Sequence, residues 1–135
     1  MRLLLNCDLG EGSDVDPAYH DEQIMPFIDQ VNIACGIHAG DPNVMNRVIK
    51  TAKKYNVSIG AHPSFNDPEN FGRKRINISP SEIKKLIIDQ YEILQKIAQD
   101  HEEHVTHMKP HGALNNMACE DIELATILAL SLIHI

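Results

Sequence analysis

The chain has 135 residues, 43% hydrophobic and 23% charged, which are the proportions of one globular domain with a real core and not of a disordered or collagen-like chain. Twelve Lys and Arg against 19 Asp and Glu leave a net charge of −7, the wrong sign for a nucleic-acid groove. Cys7, Cys35 and Cys119 are odd in number and form no CxxC pair, and no apolar run approaches the ~18 residues of a membrane span. These features predict a cytoplasmic protein with neither nucleic acid nor membrane as partner. The leucines at 3–5 stop at Asn6, short of the ~7–15 apolar residues of a secretory signal.

In chain order, Leu3 to Leu9 is predicted as a short buried strand that breaks at Gly10-Glu11-Gly12. A helix is expected over 17–30, with Asp16 as its cap, Pro17 in its first position and Pro26 kinking or ending it. Val31 to Cys35 is a second strand, ending in a turn that reaches Asp41. Asp41-Pro42 then opens a helix to about Tyr55, in which Val44, Met45, Val48, Ile49 and Ala52 form one apolar face. Val57 to Ala61 is a third strand, followed by a polar loop from His62 to about Ile78. Ser79-Pro80-Ser81-Glu82 predicts a capped helix start, with Glu82 reaching back to Ser79. Ile83, Leu86, Ile87, Leu94, Ile97 and Ala98 carry its buried stripe. Val105 to Met108 is a fourth strand, ended by Pro110 and Gly112, and a last helix is expected from about Glu120 to Leu130. Four strand–helix units in one structural unit predict an α/β fold with a parallel sheet and right-handed crossovers, either open and doubly wound or part of a barrel.

Chemistry-bearing residues gather just after each strand. Asn6, Asp8 and Glu11 follow the first, His38 and Asp41 the second, His62 and Arg73 the third, and Lys109, His111, Asn115 and Asn116 the fourth. Parallel strands bring their carboxyl ends to one rim, so four clusters far apart in sequence are expected to meet there. Any one of them has a structural alternative: a carboxylate bonding its own loop, a histidine satisfied in a turn, an arginine on a mobile surface. Their recurrence at four strand ends favours a site. Carboxylates supply a general base or acid, imidazoles move protons or ligate a metal, and Lys109 and Arg73 hold anionic oxygens. This set suits hydrolysis of an amide or ester. His101, His104, His107 and His111 are spaced like a metal-binding helix face, but Val105-Thr106 and Pro110 end the helix too early. No HExxH, GxxxxGK[ST] or GxSxG occurs, and Cys35 reads as a small buried residue.

The stretches LNCDLGEG (5–12), NIACGIHAGD (32–41), IGAHPSFND (59–67), NFGR (70–73) and HMKPHGALNN (107–116) together resemble the LamB/YcsF family, whose members are the A component of an ATP-dependent 5-oxoprolinase. The resemblance covers about residues 1–129. It implies the N-terminal part of a seven-stranded parallel β/α barrel, related to polysaccharide deacetylases. It also implies an activity that opens 5-oxoproline to L-glutamate with hydrolysis of ATP to ADP and phosphate, with 5-oxoprolinase subunits B and C as partners. The deacetylase relatives hold a divalent metal with one Asp and two His, for which Asp8, His38 and His62 are the nearest counterparts, although the deacetylase HxxxH is missing.

From residue type and position, Asp8, Glu11, His38, Lys109 and His111 are assigned to catalysis, and Asn6, Asn32, Asp41, His62, Arg73 and Asn115 to substrate binding. In this scheme Asp8 or Glu11 activates water, His38 and His111 move protons, and Lys109 with Arg73 holds carboxylate or phosphoryl oxygens. The alternative functions are a metal-dependent deacetylase and a non-catalytic substrate-binding subunit. The chain stops near the middle of the family's length, and residues 130–135 read as the translation of a sequencing-library adapter, so a fragment with a non-native tail is expected.

Overall fold

In the computed structural model the described residues are 3–12, 21–131 and 133. Four parallel strands form one sheet in the order of the sequence: β1 (Asn6–Leu9), β2 (Gln30–Ala34), β3 (Ser58–His62) and β4 (Val105–Met108). A 3₁₀ helix over Asp21–Phe27 precedes β2, and α1 (Pro42–Tyr55) leads to β3. A 3₁₀ turn at Pro68–Asn70 and α2 (Pro80–Asp100) lead to β4, which is followed by α3 (Gly112–Glu120) and α4 (Ile122–Ser131). A doubly wound sheet reverses its strand order at a switch point, whereas a barrel adds each strand beside the last. The unbroken order therefore selects the barrel, of which this chain forms four consecutive strand–helix units.

Register explains how short strands carry both a core and a site. Cys7, Val31, Ile59 and Val105 stand side by side across the sheet, and so do Asp8, Asn32, Gly60 and His107. Side chains alternate faces along a strand, so the first row and its neighbours Leu9, Ile33 and Ala61 form the apolar face. That face packs against Val44, Met45, Val48, Ile49 and Ala52 of α1 and against Leu94 and Ala98 of α2. The second row gives the opposite face its polar character. A separate apolar cluster joins Phe65, Ile83 and Ile87 to Ala113, Leu114, Leu124 and Leu128, fixing α3 and α4 against α2.

The helices start where local chemistry says they should. The Asp41 carboxylate accepts the amides of Asn43 and Val44 ahead of α1, and Ser79 with Glu82 forms a reciprocal capping box ahead of α2.

Three expectations need correction. Residues 21–27 form a 3₁₀ helix and Gln30 already belongs to β2, because Pro26 has no amide to continue an α-helical ladder. The expected cap at Asp16 and Pro17 lies outside the described residues. Leu3, Leu4 and Leu5 precede β1 and are exposed. The expected last helix is present as α4, but it is preceded by a helix the sequence reading lacked: α3 begins at Gly112, shortly after the fourth strand, and Asp121 separates it from α4. Of the suspected tail, Leu130 and Ser131 continue α4, and 132, 134 and 135 lie outside the described residues.

Candidate active site

Asp8 sits near the end of β1 on the polar face. Both of its carboxylate oxygens accept from Lys109 Nζ at 2.8 Å, and Oδ1 also accepts from Asn32 Nδ2 at 2.7 Å. Asn32 is fully buried on β2 and exchanges hydrogen bonds with Asn6, so the two amides build a ladder beneath the carboxylate. Burial alone would raise the Asp8 pKa, but hydrogen bonds from Lys109 and Asn32 outweigh it and hold the carboxyl below its ordinary value. Lys109 and Asp8 keep 48% and 31% of their side-chain surface, so this pair faces outward at the rim.

Beside it, Glu11 stands among three imidazoles. Its Oε1 lies 3.1 Å from His38 Nε2, 3.2 Å from His111 Nδ1 and 3.7 Å from His62 Nε2. His62 Nε2 is also 3.6 Å from Asp8 Oδ2, which links the two groups. His38, His62 and His111 are only 4%, 1% and 7% exposed. His38 and His111 stack with centroids 3.9 Å apart, and Phe71 sets its edge against both rings. Burial shifts His62 and His111 toward the neutral form, lowering both pKa values. Burial would raise the Glu11 pKa, but its contacts with His38 and the neighbouring imidazoles lower it overall.

The remaining ring nitrogens are anchored to the scaffold. His62 Nδ1 donates to the Lys109 carbonyl at 2.5 Å, and His111 Nε2 donates to the Phe71 carbonyl at 2.8 Å. The Ser64 hydroxyl donates to the Phe65 carbonyl and receives His38 Nδ1–H at 2.9 Å. The Glu11 loop is tied down from outside, because one Asp21 oxygen accepts the amides of Gly10 and Glu11. Gly72 has φ +65° and packs so tightly that an added Cβ would lie 3.1 Å from His111, His38 and Ser64 at once.

Of the assigned residues, Asp8, Glu11, His38, His62, Lys109, His111, Asn6 and Asn32 come together here. Arg73 lies over the Phe71 ring, 5.2 Å from its centroid, beside the cluster. Asp41 spends its carboxylate capping α1, and Asn115 is half-buried on the first turn of α3. Sequence reasoning missed Ser64, Phe71, Gly72 and Asp21 as supports. The first three lie inside the motifs quoted above, whereas Asp21 had no signal beyond its place in a predicted helix. The helical face of four histidines, already ruled out by Val105-Thr106 and Pro110 in the sequence, does not form: His107 is a strand residue, and His111 joins His38 and His62 from a different loop.

The LamB/YcsF family pattern matches residues 3–135 of this chain. The chain belongs to the LamB/YcsF family. Among its relatives, proteins named as the A component of 5-oxoprolinase from Staphylococcus aureus strains bovine RF122 / ET3-1 and Newman are each 48% identical over 129 residues, or 96% of this chain and 52% of theirs. A crystal structure of a lactam utilization protein from Thermus thermophilus superposes with a TM-score of 0.89 at 36% identity, covering 98% of this chain and 53% of that one. The chain thus spans about half the length of the LamB/YcsF proteins it matches.

Proposed function

We propose that this chain acts as the A component of an ATP-dependent 5-oxoprolinase, working with subunits B and C to open 5-oxoproline to L-glutamate while ATP becomes ADP and phosphate. The observation that carries this reading is the 48% identity, over nearly the whole chain, to proteins of that name. The Asp8–Lys109 pair at an imidazole-lined rim is the chemistry such a reaction needs.

A five-membered lactam is a stabilised amide whose nitrogen is a poor leaving group. Phosphoryl transfer from ATP to the amide oxygen makes the ring carbon electrophilic. Water adds to that carbon, the ring C–N bond breaks with a proton going to nitrogen, and a second water releases phosphate from the acyl phosphate left behind. In this scheme Asp8, held ionised, takes the proton of the attacking water. Lys109 and Arg73 face the anionic oxygens of the substrate and of the transferred phosphoryl group. Asn32 and Lys109 keep that carboxylate oriented.

The test is glutamate release from 5-oxoproline and ATP by the protein combined with subunits B and C. Asp8→Asn and Lys109→Met are each expected to reduce turnover at least ~100-fold, the lower end of the contribution of a positioned base. Glutamate formation by B and C without this chain, or unchanged turnover in Asp8→Asn, overturns the reading.

A further inference from the structure

The hydrogen bonds around the three buried histidines leave a contradiction that the atoms of the described residues alone do not resolve. A backbone carbonyl only accepts, so the ring nitrogen facing it carries the proton. This assigns the proton of His62 to Nδ1, on the Lys109 carbonyl, and the proton of His111 to Nε2, on the Phe71 carbonyl. His38 follows the same rule through Ser64, whose own proton is used on the Phe65 carbonyl. The inward nitrogens of the neutral rings, His38 Nε2, His62 Nε2 and His111 Nδ1, are then all bare. Two of them, on His62 and His111, face each other at 3.0 Å, and all three surround a carboxylate oxygen of Glu11. Lone pairs and an anion converge on one point with no donor among them. A positive centre is missing from the arrangement.

We propose that Glu11, His38, His62 and His111 form a binding site for one divalent transition-metal ion of the zinc class. The four donor atoms lie within 4.8 Å of one another. Zinc bonds of ~2.0–2.1 Å to nitrogen and oxygen place tetrahedral donors about 3.3 Å apart, and the observed separations of 3.0, 3.1, 3.2 and 3.7 Å bracket that value. Each ligating imidazole already has the outer hydrogen bond that fixes its tautomer and orientation in metal sites. The donors come from loops after β1, β2 and β4 and from the end of β3, so the barrel rim itself assembles the set. Asp8 is not in it: its oxygens are taken by Lys109 and Asn32. The imidazoles are then ligands and not proton carriers, and Asp8 stays outside the set, paired with Lys109.

This inference does not rest on the lactam reading, and its test uses no substrate, ATP or partner protein. The purified protein, stripped with a chelator and shown by circular dichroism to be folded, is titrated with Zn²⁺ by calorimetry and with Co²⁺ by visible absorption. One equivalent of each is expected, with the ligand-field bands of cobalt bound to nitrogen and oxygen and a higher melting temperature on loading. His62→Ala and Glu11→Gln are each expected to weaken binding more than ~100-fold, the upper figure for loss of even an outer-shell partner. His104→Ala, exposed and remote, is expected to bind like the wild type. Failure of the folded wild-type protein to take up either metal at millimolar concentration overturns the proposal and leaves a shared proton as the missing charge. Undiminished binding in folded Glu11→Gln and His62→Ala variants overturns it as well, by placing the ion elsewhere.

Discussion

Gly60 shows how closely the polar face is fitted around single residues. It lies opposite His107 in the sheet, and a Cβ added to it would come within 2.3 Å of His107 Nε2. The ring cannot swing away freely, because its Nδ1 is hydrogen-bonded to the Thr106 hydroxyl, which itself donates to the Ile59 carbonyl. Gly60→Ala is therefore expected to cost about 1–3 kcal/mol through overpacking. The double variant Gly60→Ala/His107→Ala should regain most of that loss in a urea unfolding cycle, and simple additivity of the two single changes contradicts the account. At this scale the sequence is informative about which residues meet and silent about their state. Asp8, His38, His62 and Lys109 could be brought together from sequence because parallel strands all end on one rim. The tautomers could not, because they depend on carbonyls of Lys109 and Phe71 whose directions no side-chain pattern records. His111 was legible as a site residue, and the strand signal at Val105-Thr106 rightly separated it from a helical face with His107 and His104; its neighbours are His62, 49 positions away, and His38, farther still.

Elements with a strong cap or a clean period were readable, and those without were not. The five buried residues of α1 are the five that recur at three- and four-residue steps, and α2 starts at the capping box that its sequence spells out. α3 has no such stripe: it opens on a glycine at φ +54° after Pro110, a sequence that reads as a loop until Ala113 and Leu114 are seen buried against Phe65 and Ile87. The caps offer two direct measurements. Asp41→Ala is expected to lower stability by about 1 kcal/mol and Asp41→Asn to leave it nearly unchanged, since asparagine caps as well. Chemical unfolding of the two variants reads the difference, and equal losses would mean that the carboxylate has a role beyond the cap. In the capping box, hydrogen bonds from the Ser79 hydroxyl and amide hold the Glu82 carboxyl below its ordinary range. A depressed folded value means that its contribution to α2 is complete above the unfolded pKa of ~4.3 and is lost as pH falls through the lowered value. An NMR titration of Glu82 should therefore give a midpoint below that of ordinary surface glutamates, and Ser79→Ala should raise it. A wild-type midpoint in the ordinary range contradicts the box.

The whole molecule is governed by the sheet that places the site. Parallel direction was legible from four apolar runs alternating with helices, but membership in a barrel was carried by the strand order β1-β2-β3-β4, which periodicity alone leaves open. The same order has a consequence for behaviour in solution. Among the described residues, β1 and β4 each pair on one side only, so backbone donors and acceptors face outward at both edges. An unpaired strand edge is a template for another chain. Apolar side chains accompany the β1 edge: Leu3, Leu4 and Leu5 lead into the strand at 82%, 57% and 56% exposure. A net charge of −7 opposes association at long range but is screened beyond about 8 Å at physiological salt, which leaves edge pairing as a short-range attraction. A protein of these 135 residues is therefore expected to self-associate increasingly with concentration and with added salt. Replacing Leu4 with Lys should reduce the association by putting a charge where an incoming strand would lie. Sedimentation velocity across a concentration series measures both effects. A single monomeric species that is indifferent to salt and to Leu4→Lys would mean that these edges are shielded in a way the sheet alone does not provide.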